Sequence, residues 1–547
     1  MRFPDFPRRE SNPEKVMQDS MSTSTFQVYD TTLRDGAQQE GLSLSVQDKL
    51  VIAGHLDDLG VGFIEGGWPG AIPKDTEFFR RAATDLTLKQ ATLTAFGATR
   101  KAGLAVHEDP QVKALVDSLA PVVTLVAKSD VRHVERALRT TPAENLAMIT
   151  DTVNFLREQG RRVFLDAEHF FDGYRADPAY AIEVVRAAVA AGAEVVALCD
   201  TNGGMLPNQI ADVVHEIGQA TGAALGIHCH NDTGCAVANS LAAVDAGAIQ
   251  IQGTLNGYGE RTGNADLITL LANLELKRGQ PVLPPGRLQD ATRIAHAVNE
   301  ITNVTPYGRQ PYVGSSAFAH KAGLHASAIK VDPDLYQHAD PSTVGNDMRM
   351  LISDMAGRAS IELKGKELGF DLAGDRERLG RITDRVKDLE AQGYTFEAAD
   401  ASFALLLHEE VYGFRPAYCD VESWRVITES RADEAVSEAT VKLVAGGQRQ
   451  LATAEGNGPV SALDHALRTA LLPVYPELDR IKLTDFKVRI IDGATGTNAI
   501  TRVLIETSGA SAIWETVGVG TNMVEASWQA LFDGMIYGLL MLKVPRR

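Results

Sequence analysis

The stretch "VYDTTLRDGAQQEG", Val28–Gly41, runs from an apolar strand start straight into Asp30, Arg34 and Asp35. A solvated surface loop carries charges too. An arginine and an aspartate side by side at the mouth of a buried strand, however, offer partners to an anion and a cation at one point. Which reading holds depends on whether other strands of the chain end in the same way.

They do. Between Phe26 and about Leu276, β-branched runs alternate with longer helical patterns: "FQVYD", "GFIEGG", "ATLTAFG", "VVTLVAK", "RVFLDAEH", "VVALCDTNGG", "ALGIHCHND" and "IQIQGTLNGYGE". Segments such as "SVQDKLVIAGHLDDLG" and "PAYAIEVVRAAVAAGA" lie between them. This alternation marks βα units feeding a parallel sheet. Eight units in roughly 250 residues predict an α/β fold, a (β/α)8 TIM barrel over residues 26–288. A doubly wound open sheet is the alternative, but no glycine-rich dinucleotide fingerprint follows the first strand. Polar residues gather at the strand ends: Arg34 and Asp35 after the first, Glu65 at the second, Lys128 at the fourth and Glu168 at the fifth. Asp200 and Thr201 end the sixth, His228 and His230 the seventh, Thr254 and Asn256 the eighth. A barrel brings all these ends to one face, where barrel enzymes keep their active sites.

With 547 residues the chain exceeds one ordinary core, so two or three domains are expected. A net charge of -18 opposes binding to nucleic acid or an anionic membrane, so an anionic substrate needs a local basic group such as Arg34. Four cysteines make no disulfide framework, which fits a cytoplasmic enzyme. No apolar run reaches the length of a membrane span. Residues 1–25 lack the apolar centre of a secretion signal and read as a flexible tail, with Met21 an alternative start.

In "GIHCHND", His228 and His230 lie two apart on a strand, so their side chains share a face and Cys229 takes the other. Imidazole suits several divalent ions. With Asp35 converging from the first strand, a His2Asp site with open positions is expected, for Mg, Mn, Co or Zn. Cys199, like Cys229, reads as a sheet-packing residue. His169, beside Glu168, reads as a packed residue on the opposite strand face, and Asp200 as a group that orients its neighbours. Glu260 and Arg261 read as a pair at the lip. Lys128 faces a substrate phosphate or is an exposed lysine without a role.

"TTLRDGAQ", "DTNGGMLP", "HCHNDTGCAVANSLAAVDAGA", "QGTLNGYGERTGNADL" and "AHKAGLHASAI" occur in this order. Together they resemble the acyl-CoA-condensing barrel enzymes, the family of 2-isopropylmalate, homocitrate and citramalate synthases. The resemblance implies that Asp35, His228 and His230 are metal ligands and that Asn264 lies at or beside the metal. It implies that Arg34 contacts the reacting carbonyl oxygens and that Thr201 binds the keto-acid carboxylate, with Thr254 a further substrate contact. Glu168 matches an acidic active-site residue, and His325 with Tyr336 a catalytic pair that enters the neighbouring subunit's site in a homodimer. Either that pair or Glu168 would remove the acetyl-CoA proton. The implied substrates are acetyl-CoA and a 2-oxo acid, with pyruvate favoured. 2-Oxoisovalerate, the 2-isopropylmalate synthase acceptor, is the rival. Bulky Trp68 in "IEGGWPGAIPKD" favours the smaller acceptor if it points inward. A 3-hydroxy-3-methylglutaryl-CoA lyase activity fits less well, since that lyase carries a cysteine where this chain has "NGYGERTGN".

Residues 289–410 read as helical linker subdomains carrying His325 and Tyr336. From 411 to 547 the pattern changes to an α+β domain with an internal pseudo-two-fold repeat. "TAEGNGPVSALDHALRTAL" echoes "TVGVGTNMVEASWQALFDGM", each read as a strand, a Gly-x-Gly turn and a helix. The module resembles the regulatory domain of 2-isopropylmalate synthases. It implies an amino-acid effector, isoleucine for a pyruvate-using enzyme, with the glycine turns offering backbone N–H groups to its carboxylate.

Overall fold

The computed structural model describes residues 26–431, 434–491, 496, 498–509 and 512–547. The expected flexible tail and Met21 lie outside the described residues. Eight strands hydrogen-bond in parallel sequence order and close on themselves. They are β1 (Gln27–Asp30), β2 (Phe63–Gly67), β3 (Thr92–Ala98), β4 (Val122–Lys128), β5 (Arg162–Glu168), β6 (Val195–Asp200), β7 (Leu225–Cys229) and β8 (Gln250–Gly253). Closure comes from β1 pairing with β8, Asp30 opposite Gly253. The predicted TIM barrel is the observed one.

Strand periodicity sorts the residues into two sets. Tyr29, Phe63, Val122, Phe164 and Val195 form one buried apolar cluster. Tyr29, Phe63 and Phe164 meet ring to ring, Phe63 and Phe164 edge-on at 5.1 Å. Each such buried side chain contributes roughly 1.5–3 kcal/mol through apolar burial. The other set packs helices: Val46–Leu59 turns Ile52, Ala53 and Leu56 into the core. Its start is fixed by Ser45 and Asp48, which satisfy each other's backbone N–H groups.

The chain forms two compact units, one holding the described residues up to Ala317 with Pro341–Asp347, the other Phe318–Asp340 with Met348–Arg547. The segment 289–410 is shared between the two units. Helix Ala291–Thr302 buries Ile294, Ala295 and Val298 and packs against helix Val46–Leu59 within the barrel unit. The larger part of the segment belongs to the second unit.

In that unit, strands Asp420–Arg431, Glu434–Ala445 and Gln448–Gly456 form an antiparallel sheet followed by helix Pro459–Leu471. The pattern repeats with Ile481–Ile490, Thr501–Gly509, Ala512–Gly520 and helix Met523–Met541. One apolar core joins the repeats, including Val441, Leu463, Leu467, Ile505, Trp514 and Ala530. The two glycine pairs differ from the expected turns. Gly518 lies inside a strand, where an added Cβ would sit 1.9 Å from the Ala526 carbonyl. At Gly456 it would sit 2.4 Å from the Ala462 nitrogen. Both glycines let a helix backbone press against its strand. Nor is the start of Met523–Met541 free for a carboxylate, because the Asn522 side chain accepts from Val524 and Glu525 N–H. Among the described residues no helix is long and apolar enough to cross a membrane.

Candidate active site

A cavity of about 720 Å3 opens at the carboxyl ends of the barrel strands, lined by Arg34, Asp35, Trp68, Glu168, Thr201, His228 and His230 among others. The alternation of inward residues explains its walls: Phe96 and Ala98 on β3, Val126 and Lys128 on β4, Asp166 and Glu168 on β5. Cys199 and Thr201 continue this set at the end of β6, so Cys199 is a wall residue and not only a sheet-packing one. Cys229, one residue from either histidine, is buried on the other face, as expected.

Asp35, His228 and His230 bring one ligand atom each to within 4.8 Å of one another, and all three are buried. Asp35 Oδ2 lies 3.4 Å from His228 Nε2 and 3.8 Å from His230 Nε2. Burial pushes the Asp35 carboxyl up, but the neighbouring Arg34 charge outweighs it and holds it far below the usual carboxylate range. Burial and the neighbouring His228 push the His230 imidazole down to about 4. An ionised carboxylate and a neutral imidazole are the forms a divalent cation needs. The residues fit such an ion on a second ground. Asn264 Oδ1 is buried without a hydrogen-bond partner, and Asn264 is the bridge partner of His230. Asn264 donates its Nδ2–H to the Tyr258 carbonyl at 3.1 Å, which leaves its oxygen unpaired as a ligand atom.

Arg34 is held by Glu65 through Nε at 2.6 Å and by Asp35 through Nη1 at 3.2 Å. Its guanidinium lies 3.9 Å from the Phe96 ring centre. Glu65, fully buried, also accepts from Tyr29 at 2.6 Å and from Thr31 at 2.5 Å. The strand-end pattern places Glu65 at this lip but gives it no role as the anchor of Arg34. The signal for it is register, since Glu65 shares its strand face with Phe63.

Glu168 pairs with Lys128, its register neighbour across β4 and β5, and both line the cavity. Thr201 accepts from the backbone N–H of His169 at 2.8 Å. His169 is not on a strand. It takes a left-handed φ of 57° after β5 and stacks on His133 at 3.9 Å, which confirms it as packed. Asp200 accepts from Gly204 and Met205 N–H and so shapes the loop after β6, as expected. Arg261 pairs chiefly with Asp232, at 2.8 and 2.9 Å, and only at 3.7 Å with Glu260, because the loop aims its fork across at the β7 end. Thr254 is buried away from the cavity, its hydroxyl donated to the Tyr258 carbonyl at 2.6 Å. Trp68 does face inward, edge-on to Phe96 at 5.2 Å and tied to Gln111 at 2.9 Å. His325 and Tyr336 belong to the second unit, where their rings stack at 4.1 Å.

A closed barrel with a buried His2Asp triad and an anchored arginine at its carboxyl-end mouth defines a barrel enzyme whose triad could hold a divalent ion. Comparison with known proteins narrows this class. The family profile described as HMGL-like matches residues 25–298. The profiles described as homocitrate synthase post-HMGL domain-like and LeuA allosteric (dimerisation) domain match 312–394 and 397–539. The chain is 66% identical to an (R)-citramalate synthase of Streptomyces coelicolor over 94% of its own length and 97% of the relative. It is 48% identical to one of Aquifex aeolicus over the same shares. A 2-isopropylmalate synthase of Methanocaldococcus jannaschii is 31% identical over 93% of each chain. The chain belongs to the (R)-citramalate synthase family.

Proposed function

We propose that the chain joins acetyl-CoA to pyruvate with water, giving (R)-citramalate and CoA on the route to isoleucine. The observation that carries this reading is near-full-length likeness to that family together with an intact Asp35, His228, His230 and Arg34 set. A proton leaves the acetyl methyl, the carbon attacks the keto carbon, and water then cleaves the thioester to a carboxylate and free CoA thiol. Asp35, His228, His230 and Asn264 would hold a divalent ion, Mg, Mn, Co or Zn. When bound, that ion supplies positive charge to the keto and carboxylate oxygens. Arg34, fixed from two sides, offers its remaining N–H groups to charge developing on oxygen. The Thr201 oxygen already accepts from His169, so its own proton is free to be donated to the acceptor's carboxylate. Glu168, or His325 with Tyr336, takes the methyl proton.

The 397–539 segment matches an allosteric dimerisation profile, which supports a homodimer with an effector site. His325 and Tyr336 would complete the partner's site, and Leu324, Val331 and Leu335 around them are exposed apolar residues suited to an interface. Isoleucine is the proposed effector, acting by favouring a less active state. All four cysteines are free thiols, which supports work in the cytoplasm. The test is CoA thiol release across a panel of 2-oxo acids, with and without isoleucine. The expected result is a marked preference for pyruvate with (R)-citramalate as product. A preference for 2-oxoisovalerate would move the chain to the 2-isopropylmalate-forming reaction.

A further inference from the structure

His228 and His230 are treated differently by their surroundings. His230 Nδ1 has no partner, whereas His228 Nδ1 lies 3.0 Å from Gln252 Oε1, on the neighbouring strand position of β8. A carboxamide can present either end to an imidazole, so the direction of this hydrogen bond must be fixed from behind. Three observations fix it. Gln252 Nε2 donates to Asp166 Oδ1 at 2.8 Å. It also lies 3.2 Å from Gln250 Oε1. Gln250 is in turn oriented because its Nε2 donates to Gln27 Oε1 at 2.9 Å. Gln250 and Gln252 are 0% and 1% exposed, so water does not compete for these groups. Gly226 opposite leaves room for the chain, since a Cβ there would meet Gln250 Oε1 at 3.0 Å. The carboxamides thus point one way from Gln27 through Gln250 to Gln252, and the last oxygen faces an imidazole nitrogen. A flip of Gln252 would break two hydrogen bonds and turn an N–H against Nδ1, driving the imidazole proton to Nε2, the atom that faces Asp35.

We infer that Gln252, oriented by Asp166 and Gln250, is a positioning residue that holds His228 as its Nδ1–H tautomer and keeps Nε2 free as a metal ligand. The inference rests on the metal-site reading above. Mn2+ titration of the chelator-stripped full-length protein, followed by the electron paramagnetic resonance of free Mn2+, separates the two. His228→Ala tests the site: wild-type Mn2+ affinity in that variant would remove the site reading itself. Gln252→Met keeps the volume and removes the acceptor, and it weakens Mn2+ binding by about 10–100-fold. The isosteric paired exchange Asp166→Asn/Gln252→Glu keeps the net charge and an acceptor at Nδ1, with Gln250 and Gln27 free to reverse by amide flips. It retains Mn2+ affinity to within about threefold, a separation set by the same range. A Gln252→Met protein that binds as wild type, or a folded paired exchange that binds as weakly as Gln252→Met, overturns the inference. If Gln252→Met does not fold, the paired exchange alone decides.

Discussion

Glu65→Gln isolates the charge that anchors Arg34. The carboxylate takes Arg34 Nε and Thr31 on one oxygen and Tyr29 on the other. A carboxamide keeps an acceptor on the Arg34 side, and the Tyr29 hydroxyl can turn to Thr124, 2.7 Å away, and accept from the new N–H. Shape and hydrogen-bond count are thus preserved while one buried negative charge disappears. Stripping a partner from a buried ion pair costs about 3–5 kcal/mol, and a hydrogen bond to a charged group is worth about 1.5–3 kcal/mol. Arg34 retains Asp35 at 3.2 Å, which places the loss near the lower range, about 2 kcal/mol. At roughly 2–4 °C per kcal/mol that lowers the barrel's melting temperature by about 5 °C. If the same interaction aims the guanidinium at developing charge, kcat/KM for pyruvate falls by about 30-fold. Differential scanning fluorimetry and CoA-release kinetics on the same preparation read both numbers. Lost stability with unchanged kcat/KM would refute the claim that Glu65 serves Arg34's role in the reaction.

Three further changes probe other parts of the molecule. Trp68→Ala, by removing the indole that narrows the cavity beside Phe96, should raise the kcat/KM ratio of 2-oxoisovalerate to pyruvate by about 10–200-fold; an unchanged ratio would show that Trp68 does not bound the acceptor. Gly518→Ala should destabilise the second unit by about 3 kcal/mol or more, because backbone meets the new methyl and neither side yields, and an unaltered melting profile would contradict that. Burial raises the Asp30 carboxyl from 3.8 to about 7, so its contribution to stability is full below pH 3.8 and is lost as pH rises to about 7. The stability of Asp30→Asn relative to wild type should therefore climb across that window by on the order of 4 kcal/mol, whereas a flat difference would refute the burial argument.

The barrel was legible because the strands are short β-branched runs and most carry a polar residue at or just after their end, a pattern that local sequence holds. The triad was legible for the same reason: His228 and His230 share a strand face by parity, and Asp35 follows the first strand. Parity also held the information for Cys199, two residues before Thr201 on the same face. What sequence did not carry was partner choice across the barrel. Glu65 reads as one more charged lip residue until its contact with Arg34 is seen. Arg261 next to Glu260 suggests a neighbour pair, yet loop geometry aims it at Asp232. Thr254 shares its strand's inward face with Gln252, but the loop after β8 supplies a carbonyl that takes its hydroxyl. The glycine repeats misled for a further reason: a Gly-x-Gly pattern serves a turn and a close helix approach equally well, and only backbone proximity at Ala526 and Ala462 separates them.

The most direct test of the metal-dependent condensation is CoA release from acetyl-CoA and pyruvate by the full-length protein before chelation, after chelation and after divalent metal is restored. The rate should fall to background when Asp35, His228 and His230 are emptied and return on adding Mg2+, Mn2+, Co2+ or Zn2+. An undiminished rate in a sample verified as metal-free would contradict it.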